Sequence, residues 1–96
     1  MKFKQFKIND SIIKETYKIE KILSDNNLQW LIDSEIENAD IELKNKTIIW
    51  HEGNYNAGNW NYGIWKFGKF SGIWENGIWE NGIFLGTWKS GINKPN

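Results

Sequence analysis

Glycine returns at 53, 58, 63, 68, 72, 77, 82, 86 and 91, in steps of five broken twice by a step of four. The two short steps lie fourteen residues apart, so the repeating unit is fourteen residues. An aromatic side chain recurs between successive glycines: Tyr55, Trp60, Trp65, Phe70, Trp74, Trp79, Phe84 and Trp88. In register the units are 56–69, 70–83 and a truncated 84–96. Gly58, Gly72 and Gly86 then align, as do Trp60, Trp74 and Trp88, and Gly63, Gly77 and Gly91.

Within a unit, Phe70, Gly72 and Trp74 alternate and so belong to one face of a strand over roughly 69–75. Asn76-Gly77 is the strongest short signal for a two-residue hairpin turn. It predicts Trp74 facing Trp79 as a cross-strand pair, worth about 0.2–1 kcal/mol. Asn81-Gly82 predicts a second turn before a strand over roughly 83–89. Gly72 and Gly86 then fall mid-strand, where a missing side chain lets a Trp lie across the backbone.

The run Phe70-Ser71-Gly72-Ile73-Trp74-Glu75-Asn76-Gly77, repeated as Phe84-Leu85-Gly86-Thr87-Trp88-Lys89-Ser90-Gly91, resembles the MORN repeat. Asn56 to Gly63 follow the same pattern with Asn56 in the aromatic place, and the second half of each unit departs from it. The resemblance implies stacked β-hairpins in an elongated sheet that binds proteins or lipids. The five-residue glycine step also resembles the pentapeptide-repeat solenoid, although Ile64, Ile73 and Ile78 stand where that family prefers Asn or Asp. Both resemblances imply a quasi-linear stack.

Residues 1–48 lack the repeat and read as an irregular N-terminal capping segment, with 49–96 as the Gly/aromatic repeat segment of one folding unit. The opening Lys2 to Ile8 reads as a strand. Segment 12–23 admits a helix with Ile12, Ile19 and Leu23 on one face, or strands; its Ile, Thr and Tyr content favours strands. Leu28 to Ile32 reads as a strand after a turn at Ser24 to Asn27. The expected fold is all-β or mostly β, the cap being followed by about three fourteen-residue hairpin repeats in an elongated sheet or solenoid.

Composition removes several functions. The chain of 96 residues has no Cys and no Arg, twelve Lys against twelve acids, and one His. Disulfides, thiolate metal sites and Cys nucleophiles are therefore out, as is bidentate guanidinium recognition. No overall basic field draws the chain to nucleic acid. No apolar run approaches the roughly 18 residues of a membrane span, and no apolar region follows the opening lysines as a secretory signal needs. Ile, Asn and Lys supply 40 of the residues, which points to an AT-rich bacterial, phage or mobile-element gene.

Few residues suggest chemistry. His51 has no neighbours at metal-ligand spacing, so no metal or other cofactor is expected. Glu75 and Glu80 repeat with the unit, and a glycosidase pair is disfavoured for that reason. Lys66, Lys69 and Lys89 among aromatics are too few for a strand of nucleic acid. The expected contact residues are the rings Trp60, Trp65, Trp74, Trp79 and Trp88, together with an acidic strip of Asp33, Glu35, Glu37, Asp40 and Glu42. These point to a cytoplasmic, non-enzymatic protein-binding module, such as a small anti-CRISPR-like inhibitor or an immunity protein acting by steric occlusion. The expected partner is a protein, for instance a nuclease or ribonucleoprotein effector, rather than nucleic acid. A membrane-surface or carbohydrate-binding adaptor is the alternative.

Overall fold

The computed structural model describes residues 1–95. It runs β1 (Phe3–Ile8), β2 (Ser11–Ile13), α1 (Thr16–Asp25), α2 (Gln29–Ile32), β3 (Glu35–Lys44) and β4 (Thr47–Ala57). Eight two-residue strands follow: β5 (Asn59–Trp60), β6 (Ile64–Trp65), β7 (Lys69–Phe70), β8 (Ile73–Trp74), β9 (Ile78–Trp79), β10 (Ile83–Phe84), β11 (Thr87–Trp88) and β12 (Ile92–Asn93). The mostly-β, repeat-built architecture is the expected one.

The pairing differs from the expectation of hairpins. Every short strand lies parallel to the strand fourteen residues before it: β8 on β5, β11 on β8, β9 on β6, β12 on β9 and β10 on β7. The chain winds as a three-sided coil, with β5, β8 and β11 on one wall, β6, β9 and β12 on the second, and β7 and β10 on the third. Asn76-Gly77 turns a corner between walls and does not reverse the chain. Its Asn76 has negative φ and accepts from the Gly77 N–H at 2.9 Å. The expected strand over 69–75 is likewise broken at Ser71-Gly72 into β7 and β8.

The corners explain the glycines. A Cβ at Gly72 would collide with the carbonyl oxygen of Gly58, and one at Gly86 with that of Gly72. A Cβ at Gly77 would lie 2.5 Å from the Gly63 carbonyl oxygen, at a φ of +123° that L side chains rarely adopt. Glycine is therefore set by backbone stacking on backbone, one coil down, and not by a Trp crossing a strand.

One aromatic side chain from each short strand up to β11 points inward, and with Trp50 and Tyr55 these form three columns, while Tyr62 and Phe67 are exposed. Trp60, Trp74 and Trp88 stack at 5.2 and 5.3 Å with planes 7° and 9° apart. Trp50, Trp65 and Trp79 stack at 4.7 and 5.2 Å, and Tyr55, Phe70 and Phe84 at 4.9 and 5.4 Å. Rings of different columns meet edge to face, as Trp74 and Trp79 do at 5.6 Å and 81°, across a corner. This packing leaves the indole N–H groups of Trp50, Trp60, Trp65 and Trp74 buried without an acceptor among the described residues, a cost of about 1–3 kcal/mol each. Ring burial and stacking must exceed it.

The first half starts the coil and covers one end. β4 pairs antiparallel with β3, then supplies the base of two walls: Ile49 and Trp50 under β6, Asn54 and Tyr55 under β7. It bends at Gly53, where a Cβ would meet the Asn38 carbonyl oxygen at 2.7 Å. Opposite, Asn38 takes a φ of +53° in a bulge of β3. The first wall, that of β5, has no long strand beneath it, and α2 fills the gap, with Trp30 edge-on to Trp60 at 5.3 Å.

The helices correct the expectation of strands for 12–23 and 28–32. Only Ser11–Ile13 is strand; Ile19 and Leu23, four apart, are the buried face of α1. Leu28 and Leu31, three apart, are buried around the single turn of α2. A capping element covers an open coil end better as a helix, which leaves no strand edge of its own. The cap and coil are locked at Tyr55, whose hydroxyl meets the Ser34 hydroxyl and donates to the Asn59 carbonyl at 2.6 Å. Ser34 also reaches the Trp30 carbonyl at 2.7 Å, so two hydroxyl protons serve three oxygen contacts. Burial pushes the Tyr55 phenol well above its usual range, against the lowering effect of Ser34. The expected boundary at 48/49 falls inside β4, and one continuous core spans both halves.

Candidate functional site

Of the five expected contact rings, four belong to the interior. Trp60, Trp65 and Trp74 have no exposed surface and Trp79 has 6 %, because closing the coil turns these rings onto its axis. They are corrected from contact residues to core. Trp88 stands 38 % exposed, since nothing among the described residues lies above the last coil. On the same coil Ile83, Leu85 and Ile92 are exposed. Leu85 replaces Ser71 at the equivalent corner, and Ile83 replaces Lys69 on the same wall. That change from polar to apolar was present in the sequence and marks the last coil as different. Asn93 continues the column of Trp65 and Trp79, and so ends it without a ring.

The acidic residues separate by position. Asp33 lies outside β3, at the end of α2, and accepts from Gln29 Nε2 at 3.0 Å. Glu35 and Glu37 are exposed on β3; after the bulge at Asn38 the outward face shifts parity, so Asp40 and Glu42 share it half-buried. Glu42 accepts a hydrogen bond from His51 Nε2 at 3.1 Å. That hydrogen bond, helped by charge on His51, Lys7 and Lys44 and opposed by desolvation, holds the Glu42 carboxyl below its usual value. Lys7 faces Glu42 across the β1–β3 pair, and Lys4 reaches Glu52 at 3.7 Å. The strip is thus strongest at Glu35 and Glu37 and offset by lysines beyond the bulge.

The repeat charges pair between coils: Lys66 with Glu80 at 3.5 Å, and Lys89 with Glu75 at 3.6 Å. Those partners hold both candidate glycosidase carboxylates in ion pairs on the outer surface. A groove of about 640 Å³ beside Gly53 and Gly68 is lined by Lys4, Glu52, Lys69, Phe67 and Ile83, a mixed surface without a nucleophile–base pair. Among the described residues no three His, Asp or Glu side chains are placed to hold a metal ion, and no helix is long and apolar enough to cross a membrane. No family profile, curated protein or solved structure matches the chain.

Proposed function

We propose that the protein is a non-enzymatic protein-binding module. The observation that carries this reading is that the last coil exposes four large apolar side chains, Ile83, Leu85, Trp88 and Ile92, of the ten exposed among the described residues, above columns whose inner rings Trp60, Trp65, Phe70 and Trp74 are buried. Apolar side chains exposed on one coil, one on each wall and one at a corner, favour a protein contact over a solvated surface, and Trp is among the residues that dominate such contacts. A rigid stack without catalytic groups acts by occupying a surface. Steric occlusion of a cytoplasmic nuclease or ribonucleoprotein effector, in the manner of a small phage-encoded inhibitor or an immunity protein, is the action we assign to it.

The test is affinity capture from nuclease-treated host lysate with the wild-type chain and a Leu85→Glu/Ile92→Glu variant in parallel. A stoichiometric protein recovered by the wild type and lost with the variant supports the reading. Recovery that requires intact nucleic acid, or that the variant leaves unchanged, contradicts it.

A further inference from the structure

The last coil presents a surface with a definite complement. Strands β10, β11 and β12 pair on one side only. In each lower step the coil above donates to the coil below: Leu85 N–H to the Phe70 carbonyl at 2.7 Å, Lys89 N–H to Trp74 at 2.9 Å, Ile92 N–H to Gly77 at 2.9 Å. Fourteen residues on, the carbonyls of Phe84, Trp88 and Gly91 hold the corresponding places at the open end. Phe84 and Trp88 are stacked from beneath alone, at 5.4 and 5.3 Å.

Two features restrict what such an edge accepts. Each corner glycine of the last coil lies so close to the glycine carbonyl below that no Cβ fits: Gly82 over Gly68, Gly86 over Gly72, Gly91 over Gly77. A strand continuing the stack meets the same limit and needs glycine over all three corners. Charge is the second. Signs alternate up each outer column, Lys66 to Glu80 and Glu75 to Lys89, and Lys94 follows fourteen residues after Glu80. The top of both columns is therefore lysine. A second copy docked end to end sets lysine against lysine, and the free edge of β2, Ser11–Ile13, brings no glycine to the corners. Neither meets both requirements.

We propose that the open end takes up, as one further coil, an acidic segment of a partner protein with glycine over the three corners, aromatic residues over Phe84 and Trp88, and carboxylates over Lys89 and Lys94. This is strand addition, with backbone hydrogen bonds for affinity and the glycine and charge register for specificity. It rests on the protein-binding reading above and names the partner's chemistry. The chain's own residues 68–81 carry every required feature: Gly68, Gly72 and Gly77, then Phe70 and Trp74, then Glu75 and Glu80. They define a probe.

A fluorescein-labelled peptide with the sequence of residues 68–81 is titrated with the full chain and followed by anisotropy. Saturable binding is expected, weakened about tenfold when both peptide glutamates are changed to lysine. The Lys89→Glu/Lys94→Glu chain, with folding checked by circular dichroism, is expected to reverse that preference. Binding indifferent to sign, or none at millimolar protein, overturns the proposal. So does sedimentation showing the end occupied by a second copy. A lysate partner still captured by the Lys89→Glu/Lys94→Glu chain would sink this inference and leave the protein-binding reading standing.

Discussion

The two halves of the molecule solve the same problem by different means. Residues 1–57 build a small core from Phe6, Ile19, Leu23, Leu31 and Ile41, side chains of varied shape drawn from strands and helices. The coil from Asn59 onward uses one solution repeatedly: a ring on a ring, a glycine on a glycine. A varied core spreads its dependence over many contacts. A columnar core concentrates it, because each ring is packed by the coil above and the coil below. Stability in the repeat half should therefore depend on position along the stack, whereas in the first half it should depend only on burial.

Replacing a mid-stack ring gives the largest expected effect. Trp65→Ala removes a ring stacked on both faces and should cost about 3–5 kcal/mol, a large share of what a chain of this size has. Trp88→Ala, at the open end, should cost clearly less, read as the shift in urea midpoint. Equal losses would contradict the positional dependence.

Gly77→Ala comes next. One methyl group there meets the Gly63 carbonyl in an unfavourable φ, and a loss of about 3 kcal/mol is expected. Thermal unfolding checks it, and a change below about 0.5 kcal/mol would contradict the backbone contact.

At the junction of the halves, Tyr55→Phe should cost about 1–2 kcal/mol at neutral pH, since it removes the donor to the Asn59 carbonyl and leaves Ser34 with the Trp30 carbonyl alone. Because the folded phenol titrates above its unfolded value of 10.0, its stabilisation is complete below that pH and is lost as pH rises above it. The wild type should therefore lose stability from about pH 10 upward, and Tyr55→Phe should lose less.

The smallest effect belongs to the strip on β3. The folded Glu42 carboxyl titrates below its unfolded value, so its contribution is present above that value and disappears as pH falls through the lowered one. Glu42→Gln should flatten the acid side of the stability profile slightly, without moving the neutral plateau by more than a few tenths of a kcal/mol.

The fourteen-residue unit, its three aligned glycines and its mostly-β character were legible in the sequence, because backbone crowding leaves a strict periodic mark. The direction of pairing was not. Asn76-Gly77 suits a hairpin reversal and a coil corner equally, and only the contact of Gly77 with Gly63 selects the corner. Ring burial was hidden for the same reason: Trp60 and Trp74 are interior only once the coil has closed. In the first half, Ile and Thr content over 12–23 favoured strand, and the tertiary demand to bury Ile19 and Leu23 beside α2 favoured helix. The bulge at Asn38 was not read from the sequence, although the acids change parity there, from Glu35 and Glu37 to Asp40 and Glu42, and Asn tolerates the left-handed conformation.

Parallel winding is the claim on which everything else depends, and an introduced disulfide tests it. The chain has no cysteine, so the pair Ile64→Cys and Ile78→Cys forms a unique probe. These residues are direct partners on β6 and β9, and neighbouring strands at about 4.8 Å lie within disulfide reach. Mild oxidation of the folded monomer should close this bond quickly. The pair Ile73→Cys and Glu80→Cys, which a hairpin about Asn76-Gly77 would bring together, should stay reduced. The reverse pattern would contradict the coil.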